Sequence, residues 1–313
     1  MPELDGPAVV AVAGPTASGK TRLAVALAQA LSAEVVNADS RQAIAELAVG
    51  TCKPTPAEMG LVPHHGYDWR HLGEPYSVAE YTDRAVPLVD HLLAQGRSVV
   101  VVGGTGLYLR ALLRGFDYGE VAPGWRPAPG ERPVAAERHR AESAAAELSH
   151  LGRLPAGASE RANPRRLVRA AELAREGKTA RALARPWRIH RIQLHIESQP
   201  LRERLRRRAR ALVGQALVAE LEELIGAGYP EKVVATAAIG YAEALAWRGQ
   251  RCTHEEAIAA VERRTWRYAR AQQTWLRGET GASEIDAEAD LSLQLRQAGA
   301  AFRQDESLIW MDE

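Results

Sequence analysis

The chain is poor in the features that mark secreted or membrane-bound proteins. It holds two cysteines in 313 residues, Cys52 and Cys252, too few and too far apart for a disulfide framework, as befits a reducing compartment. No run of about 18 apolar residues occurs. The N-terminus shows no basic segment followed by an apolar core, so no secretory leader is expected. No internal repeat or low-complexity tract stands out. Net charge is close to zero, at +1, which excludes a polycation that binds nucleic acid through bulk charge. A soluble cytoplasmic protein, expected to be a monomer with no membrane partner, is the class that remains.

With 46% hydrophobic and 25% charged residues, the chain has the composition and length of one large domain or a domain carrying an insert. Lysine is scarce, at four residues against 36 arginines. A GC-rich coding sequence and selection for phosphate contacts account for that bias equally well.

Gly14-Pro15-Thr16-Ala17-Ser18-Gly19-Lys20-Thr21 fits the pattern G-x-x-x-x-G-K-[ST]. It follows an apolar run, Val9–Ala13, and precedes a helical pattern, which is the context a phosphate loop requires. The glycines let several backbone N–H groups converge on one anion, and the helix N-terminus adds positive potential. Gly14, Thr16, Ala17, Ser18, Gly19, Lys20 and Thr21 are therefore candidate diphosphate-binding residues. Lys20 is placed to reach terminal phosphate oxygens, and the Thr21 hydroxyl to help hold Mg²⁺.

Strand and helix patterns alternate through residues 8–115. A strand at Ala8–Ala13 precedes a helix at Thr21–Leu31 and a strand at Glu34–Ala38; a looser stretch, Pro54–Gly73, precedes a helix at Val78–Gln95. The fully apolar Ser98–Val102 completes the set. Such runs between helices predict an α/β fold, a P-loop NTPase-like parallel sheet with helices on both faces. Val121–Pro133 is rich in Pro and Gly, and Val134–Leu183 is Ala/Arg/Glu-rich and helical in pattern. Trp187–Ile196 reads as a return to the sheet, followed by helices at Leu201–Val213, Leu217–Ala227, Gly240–Arg248 and His254–Arg277. The expected organisation is a discontinuous core, 1–117 and 186–313, interrupted by a helical insert, 118–185.

Asn37-Ala38-Asp39-Ser40 ends the second strand at the edge where open α/β sheets bind ligands. Asp39 there can hold metal through water, act as a general base or merely cap the next helix. Gly103-Gly104-Thr105-Gly106 ends another strand at the same edge, with the Thr105 hydroxyl available to a bound oxygen. The Val99–Val102 strand ends in Gly103, without the Asp that motor and switch NTPases use for Mg²⁺. Three arginine-rich segments could be solvated helix faces or RNA surfaces: Leu201–Val213, which includes Arg204 and Arg208 at i,i+4 spacing; Asn163–Arg169; and Arg263–Arg277, where Trp266, Tyr268 and Trp275 interleave.

These motifs, in this order, resemble the bacterial tRNA dimethylallyltransferases over residues 10–278. The phosphate loop is similar to that family's G-P-T-A-S-G-K-T, and Ala38-Asp39-Ser40-Arg41-Gln42 to its A-D-S-x-Q. Gly50–Pro54, Pro63-His64-His65 with Asp68, Val102–Tyr108, Ile239-Gly240-Tyr241 and Gln272–Trp275 follow in register. The resemblance implies transfer of a dimethylallyl group from dimethylallyl diphosphate to N6 of adenine 37, beside the anticodon, in tRNAs reading codons that begin with U. It implies Mg²⁺, a substrate tunnel entered from opposite sides, and an insert that grips the anticodon stem-loop.

The same resemblance makes Asp39, Thr105 and Lys20 catalytic. It assigns tRNA contacts to Asp39, Ser40, Arg41, Gln42, Thr105, Arg165, Arg166, Arg169, Arg204, Arg208, Gly240, Tyr241, Arg270 and Gln272. Metal falls to Thr21, with Asp39 reaching it through water. The chain departs from the family at Ala43-Ile44-Ala45 and Glu160-Arg161-Ala162, and at Trp266 and Ala271, positions expected to meet tRNA. No Cys/His pair follows the core, so the zinc finger of eukaryotic relatives is not expected. An adenylate prenyltransferase, a P-loop small-molecule kinase and a non-catalytic RNA-binding remnant remain open at this point.

Overall fold

A computed structural model of the chain describes residues 2–115, 136–154, 164–175 and 185–304. It divides into two compact units, Met1–Leu113 with Pro186–Glu313, and Arg114–Arg185. The first unit is built on six parallel strands: β1 (Val9–Ala13), β2 (Glu34–Asn37), β3 (His64–His65), β4 (Val99–Val102), β5 (Ile189–His195) and β6 (Ser283–Asp286). Their spatial order is β3-β2-β4-β1-β5-β6. In register, Val9 to Val12 pair with Val99 to Val102, and Glu34 to Asn37 with the same four residues on the other side. A central strand buried on both faces needs apolar side chains throughout, which is why β4 reads as four valines.

Successive side chains of each strand feed two separate cores. Val10, Val12, Val100, Val102, Ile192 and Leu194 pack with Leu23 and Leu27 of α1 (Lys20–Leu31) and with the C-terminal Phe302. Val9, Ala11, Val99 and Val101 point the other way, onto Tyr81, Ala85 and Val89 of α3 (Val78–Ala94) and Leu112 of α4 (Gly106–Arg114). This is a doubly wound sheet, as the alternating pattern predicts.

A third core is helical. It joins Ile44 and Leu47 to α7 (Ser198–Leu212), α8 (Gln215–Gly226), α10 (Tyr241–Arg248) and α11 (His254–Arg277). Three short elements escape the sequence patterns: α2 (Pro56–Met59), β3 and α9 (Glu231–Ala235). So do β6, in which only Ile285 is buried, and α12 (Leu291–Gln304). In the second unit, α5 (Ala136–His150) and α6 (Pro164–Arg175) pair through Ala141, Ala144, Leu148, Leu167 and Ala171. The Arg175 guanidinium meets Glu147 in a two-pronged ion pair.

Two expected RNA contacts, Gly240 and Tyr241, lie inside the helical core. Tyr241 is fully buried, and its hydroxyl donates to the buried carboxylate of Glu220. The same carboxylate accepts the N–H groups of Ala48 and Val49 at 2.7 Å and of Gly50 at 3.2 Å. A Cβ at Gly50 would fall 2.0 Å from the Tyr241 ring. Gly50 and Tyr241 are thus two halves of one clasp that holds the chain following β2. Ile44 and Ala43, expected at the RNA surface, are likewise buried in packing. Replacing Glu220 by Leu strands two buried donors, the Gly50 N–H and the Tyr241 hydroxyl, and takes the partner from two part-buried ones, the Ala48 and Val49 N–H groups; a donor left unpaired in the interior costs about 1–3 kcal/mol. Urea denaturation should show a loss of at least ~3 kcal/mol; a loss under ~1 kcal/mol would mean the clasp is not needed.

Candidate active site at the sheet edge

The strand order decides what meets at the C-terminal edge of the sheet. Because β4 lies between β1 and β2, its outgoing loop is flanked by the phosphate loop on one side and by Asp39 on the other. Strand ends that adjoin a reversal in the winding are where such sheets bind ligands.

In the phosphate loop, Ala17 and Gly19 take left-handed conformations, φ 65° and 93°, the kind of backbone from which anion nests are built. Gly19 caps α1, and nothing lies within 4 Å of where its Cβ would be, so it is the backbone angle that calls for glycine there. At Gly14 the cause is space: a Cβ would lie 2.9 Å from Ser18 Oγ and 3.0 Å from Leu194 Cβ. Ser18 Oγ is buried with no hydrogen-bond partner among the described residues. Lys20 turns its ammonium back onto the Pro15 carbonyl at 2.8 Å. Desolvation there pushes its pKa down to about 8; the charge of Asp39 raises it and that of Arg208 lowers it further.

Asp39 is oriented by its own loop. Its N–H donates to Asn37 Oδ1 at 2.9 Å, and its Oδ1 accepts the Arg41 N–H at 2.9 Å. The second oxygen, Oδ2, lies only 3.3 Å from where a Cβ of Gly104 would be. Thr105 Oγ1 accepts the Ser40 N–H at 3.0 Å and lies 3.4 Å from Ser40 Oγ. Gln42 Nε2 donates to the carbonyls of Thr51 and Cys52. Lys20, Asp39, Ser40 and Thr105 are therefore brought to one edge, whereas Gln42 braces the loop that carries them.

The arginines sort differently from expectation. Arg204 donates to the carbonyls of Ser18 at 3.4 Å and Ala287 at 3.0 Å, so it supports the phosphate loop. Arg208, on the same face of α7, adds its charge near Lys20. At i,i+4 spacing on α7, the two are thus both associated with the phosphate loop, Arg204 by a hydrogen bond and Arg208 by its charge. Arg202 stacks over Trp266 at 4.4 Å and Arg206 pairs with Glu262, tying that helix to α11. Arg41 and Arg270 are exposed. Arg165, Arg166 and Arg169 lie on α6, and their side chains fall outside the described residues, as does Ala162.

Tyr67 went unseen in the sequence, and Tyr268 stands out there only as an aromatic among arginines. Desolvation of the hydroxyl and, second, the charge of Asp39 keep both in the neutral phenol form well above the ordinary range, although much of the Tyr268 side chain is exposed. Tyr268 sits four residues before Gln272 on α11, a spacing that offered a clue. Tyr67 lies in an irregular loop, where no periodicity could have marked it.

The fold and the edge together define a phosphate-loop α/β protein with a carboxylate on the neighbouring loop. An IPP transferase family model matches residues 42–279. The tRNA dimethylallyltransferase of Salinispora tropica is 38% identical over 89% of this chain and 88% of its own. That of a Roseiflexus species is 35% identical over 97% and 99%. The crystal structure of the tRNA isopentenylpyrophosphate transferase of Bacillus halodurans superposes with a TM-score of 0.68 at 30% identity, covering 95% of this chain and 97% of that one. The chain belongs to the IPP transferase family.

Among the described residues, no helix is long and apolar enough to cross a membrane. Lys20 gives the site a pH test. Diphosphate favours the charged amine, so affinity should fall as pH rises past about 8, by up to about tenfold per unit. Calorimetry with inorganic diphosphate should show that extra fall in the wild type and not in Lys20→Arg; parallel pH curves would contradict it.

Proposed function

We propose that this chain transfers a dimethylallyl group from dimethylallyl diphosphate to N6 of the adenine beside the anticodon of tRNA, releasing diphosphate. The observation that carries this reading is the adjacency, on one sheet edge, of an anion cradle and an oriented carboxylate with Thr105 between them. The activity borne in name by relatives that match along most of their length supports it.

An exocyclic adenine nitrogen is a weak nucleophile, so both partners of the bond must be assisted. As the allylic C–O bond breaks, negative charge collects on the departing diphosphate. The loop N–H groups, the Ser18 hydroxyl, Lys20 and Arg208 surround that position and act where the charge develops. Thr105 Oγ1 accepts the Ser40 N–H, but as a donor it makes only a long contact, to Ser40 Oγ, and can turn its hydrogen to the bridging oxygen instead. As the N6–carbon bond forms, Asp39 Oδ2 accepts the N6 proton. The Thr21 hydroxyl, with help from Asp39, would hold Mg²⁺ as hard oxygen donors, and no group of three His, Cys, Asp or Glu residues offers a full cage among the described residues. Such a site fits an ion carried mainly by substrate phosphates; when bound, Mg²⁺ would neutralise leaving-group charge.

The acceptor base must leave its stack, which costs less in a single-stranded loop than in a duplex. The helical second unit is assigned to the stem, with Arg165, Arg166 and Arg169 on backbone phosphates. Arg166→Ala should then reduce the log–log salt slope of tRNA binding by roughly 0.7 to 0.9, alike for all acceptor tRNAs. An unchanged slope would place Arg166 away from RNA.

Labelled dimethylallyl diphosphate offered with unmodified tRNA or with AMP decides the substrate. Label should enter tRNA alone; label in AMP, or phosphate label passing from ATP to a small molecule, would replace this reading. Asp39→Asn should bind tRNA like the wild type yet lower the single-turnover rate at least ~10²-fold. An unchanged rate would remove Asp39 as the base.

A further inference from the structure

Helix α11 meets the loop after β4 with three side chains at positions 268, 272 and 275, the spacing of one helical face. The Tyr268 hydroxyl lies 3.4 Å from the Gly104 carbonyl, and Gln272 Nε2 donates to that carbonyl at 2.8 Å. The Trp275 ring fills the space that a side chain at 106 would need, 2.5 Å from an ideal Cβ. At the other end of the Gln272 amide, Oε1 accepts the Thr16 N–H at 2.8 Å. One buried side chain, 7% exposed, therefore connects the phosphate loop to the glycine that Asp39 Oδ2 faces.

We infer that Gln272 is a positioning residue that sets the distance between the diphosphate site and Asp39, and so between the breaking and forming bonds. The inference rests on the transfer reading above and goes beyond it, since it removes Gln272 from the RNA-binding set. β1 and β4 are locked by ladder hydrogen bonds only as far as Val12 and Val102. Past those residues no ladder bond continues, and the two loops carry the two halves of the reaction. An amide suits the gap because it offers one donor and one acceptor, matching a carbonyl on one side and an N–H on the other. Neither a carboxylate nor an apolar side chain satisfies both. Spacing matters because reacting atoms must be held about 3–3.5 Å apart, and a misplacement of about 1 Å can cost about 10²-fold in rate.

Two variants of the full chain test this. Gln272→Met keeps length and bulk and removes both hydrogen bonds; Gln272→Glu keeps the acceptor toward Thr16 and loses the donor toward Gly104. Single-turnover transfer with both substrates saturating should fall about 10- to 100-fold in both variants, with the Michaelis constants of donor and tRNA within about threefold of wild type. Amide exchange at Thr16 should quicken in Gln272→Met and stay protected in Gln272→Glu. A normal rate at saturation in Gln272→Met would overturn the inference, as would a raised tRNA Michaelis constant with kcat unchanged, which marks an RNA contact. Unaltered Thr16 exchange in Gln272→Met would also overturn it. A wild type that transfers nothing would sink the transfer reading instead, and Thr16 exchange would still decide whether the bridge exists.

Discussion

Two strand ends approach so closely at the reactive edge that no side chain fits between them. A Cβ at Gly103 would stand 2.2 Å from the carbonyl carbon and oxygen of Ala38. The backbones themselves make the contact, Ala38 N–H to Val102 O at 2.7 Å and Thr105 N–H to Ala38 O at 3.3 Å. That approach places Thr105 on Ser40, and it places Gly104, itself bare, against Asp39. The phosphate loop is held to the same segment from its far side through Gln272. Side chains that follow three strands, Lys20, Asp39 and Thr105, are thus referred to one short backbone segment, and the transfer proposed above needs such fixed spacing between its reacting atoms.

The electrostatics of the edge form a graded set. Lys20 stands between a carboxylate and an arginine, and desolvation outweighs both in setting its proton affinity. With a pKa of about 8 the amine still carries its charge for the most part at neutral pH, and a nearby anion would hold that proton more firmly. Arg204, which could have faced RNA, is committed instead to two backbone carbonyls beneath the loop.

Much of this was legible in residue patterns. The four valines of β4 announced a doubly buried strand, and Thr253 with Glu256 forms the capping box that begins α11 at His254, where the helical pattern begins. The phosphate loop and the Asp39 and Thr105 strand ends could be placed at one edge because each ends an apolar run. What stayed hidden depends on contacts across long separations. Tyr241 and Gly50 are 191 positions apart, and only packing shows that the ring occupies the space of the missing side chain. Gln272 meets Thr16 across 256 positions. Ile44 lies in a motif whose relatives suggested an exposed contact, yet it turns inward because the helical core closes over it. β6 is too short, and has too few buried positions, to show an alternating pattern.

The most direct measurement is a crystal structure of the chain with an unreactive thio-diphosphate analogue of dimethylallyl diphosphate, whose allylic C–S bond resists cleavage, and an anticodon stem-loop. The account predicts the diphosphate group on Gly14–Thr21, the allylic carbon facing Asp39 past Gly104, and the adenine N6 within hydrogen-bond reach of Asp39. A diphosphate group bound away from the phosphate loop, or an N6 out of reach of the carboxylate, would contradict it.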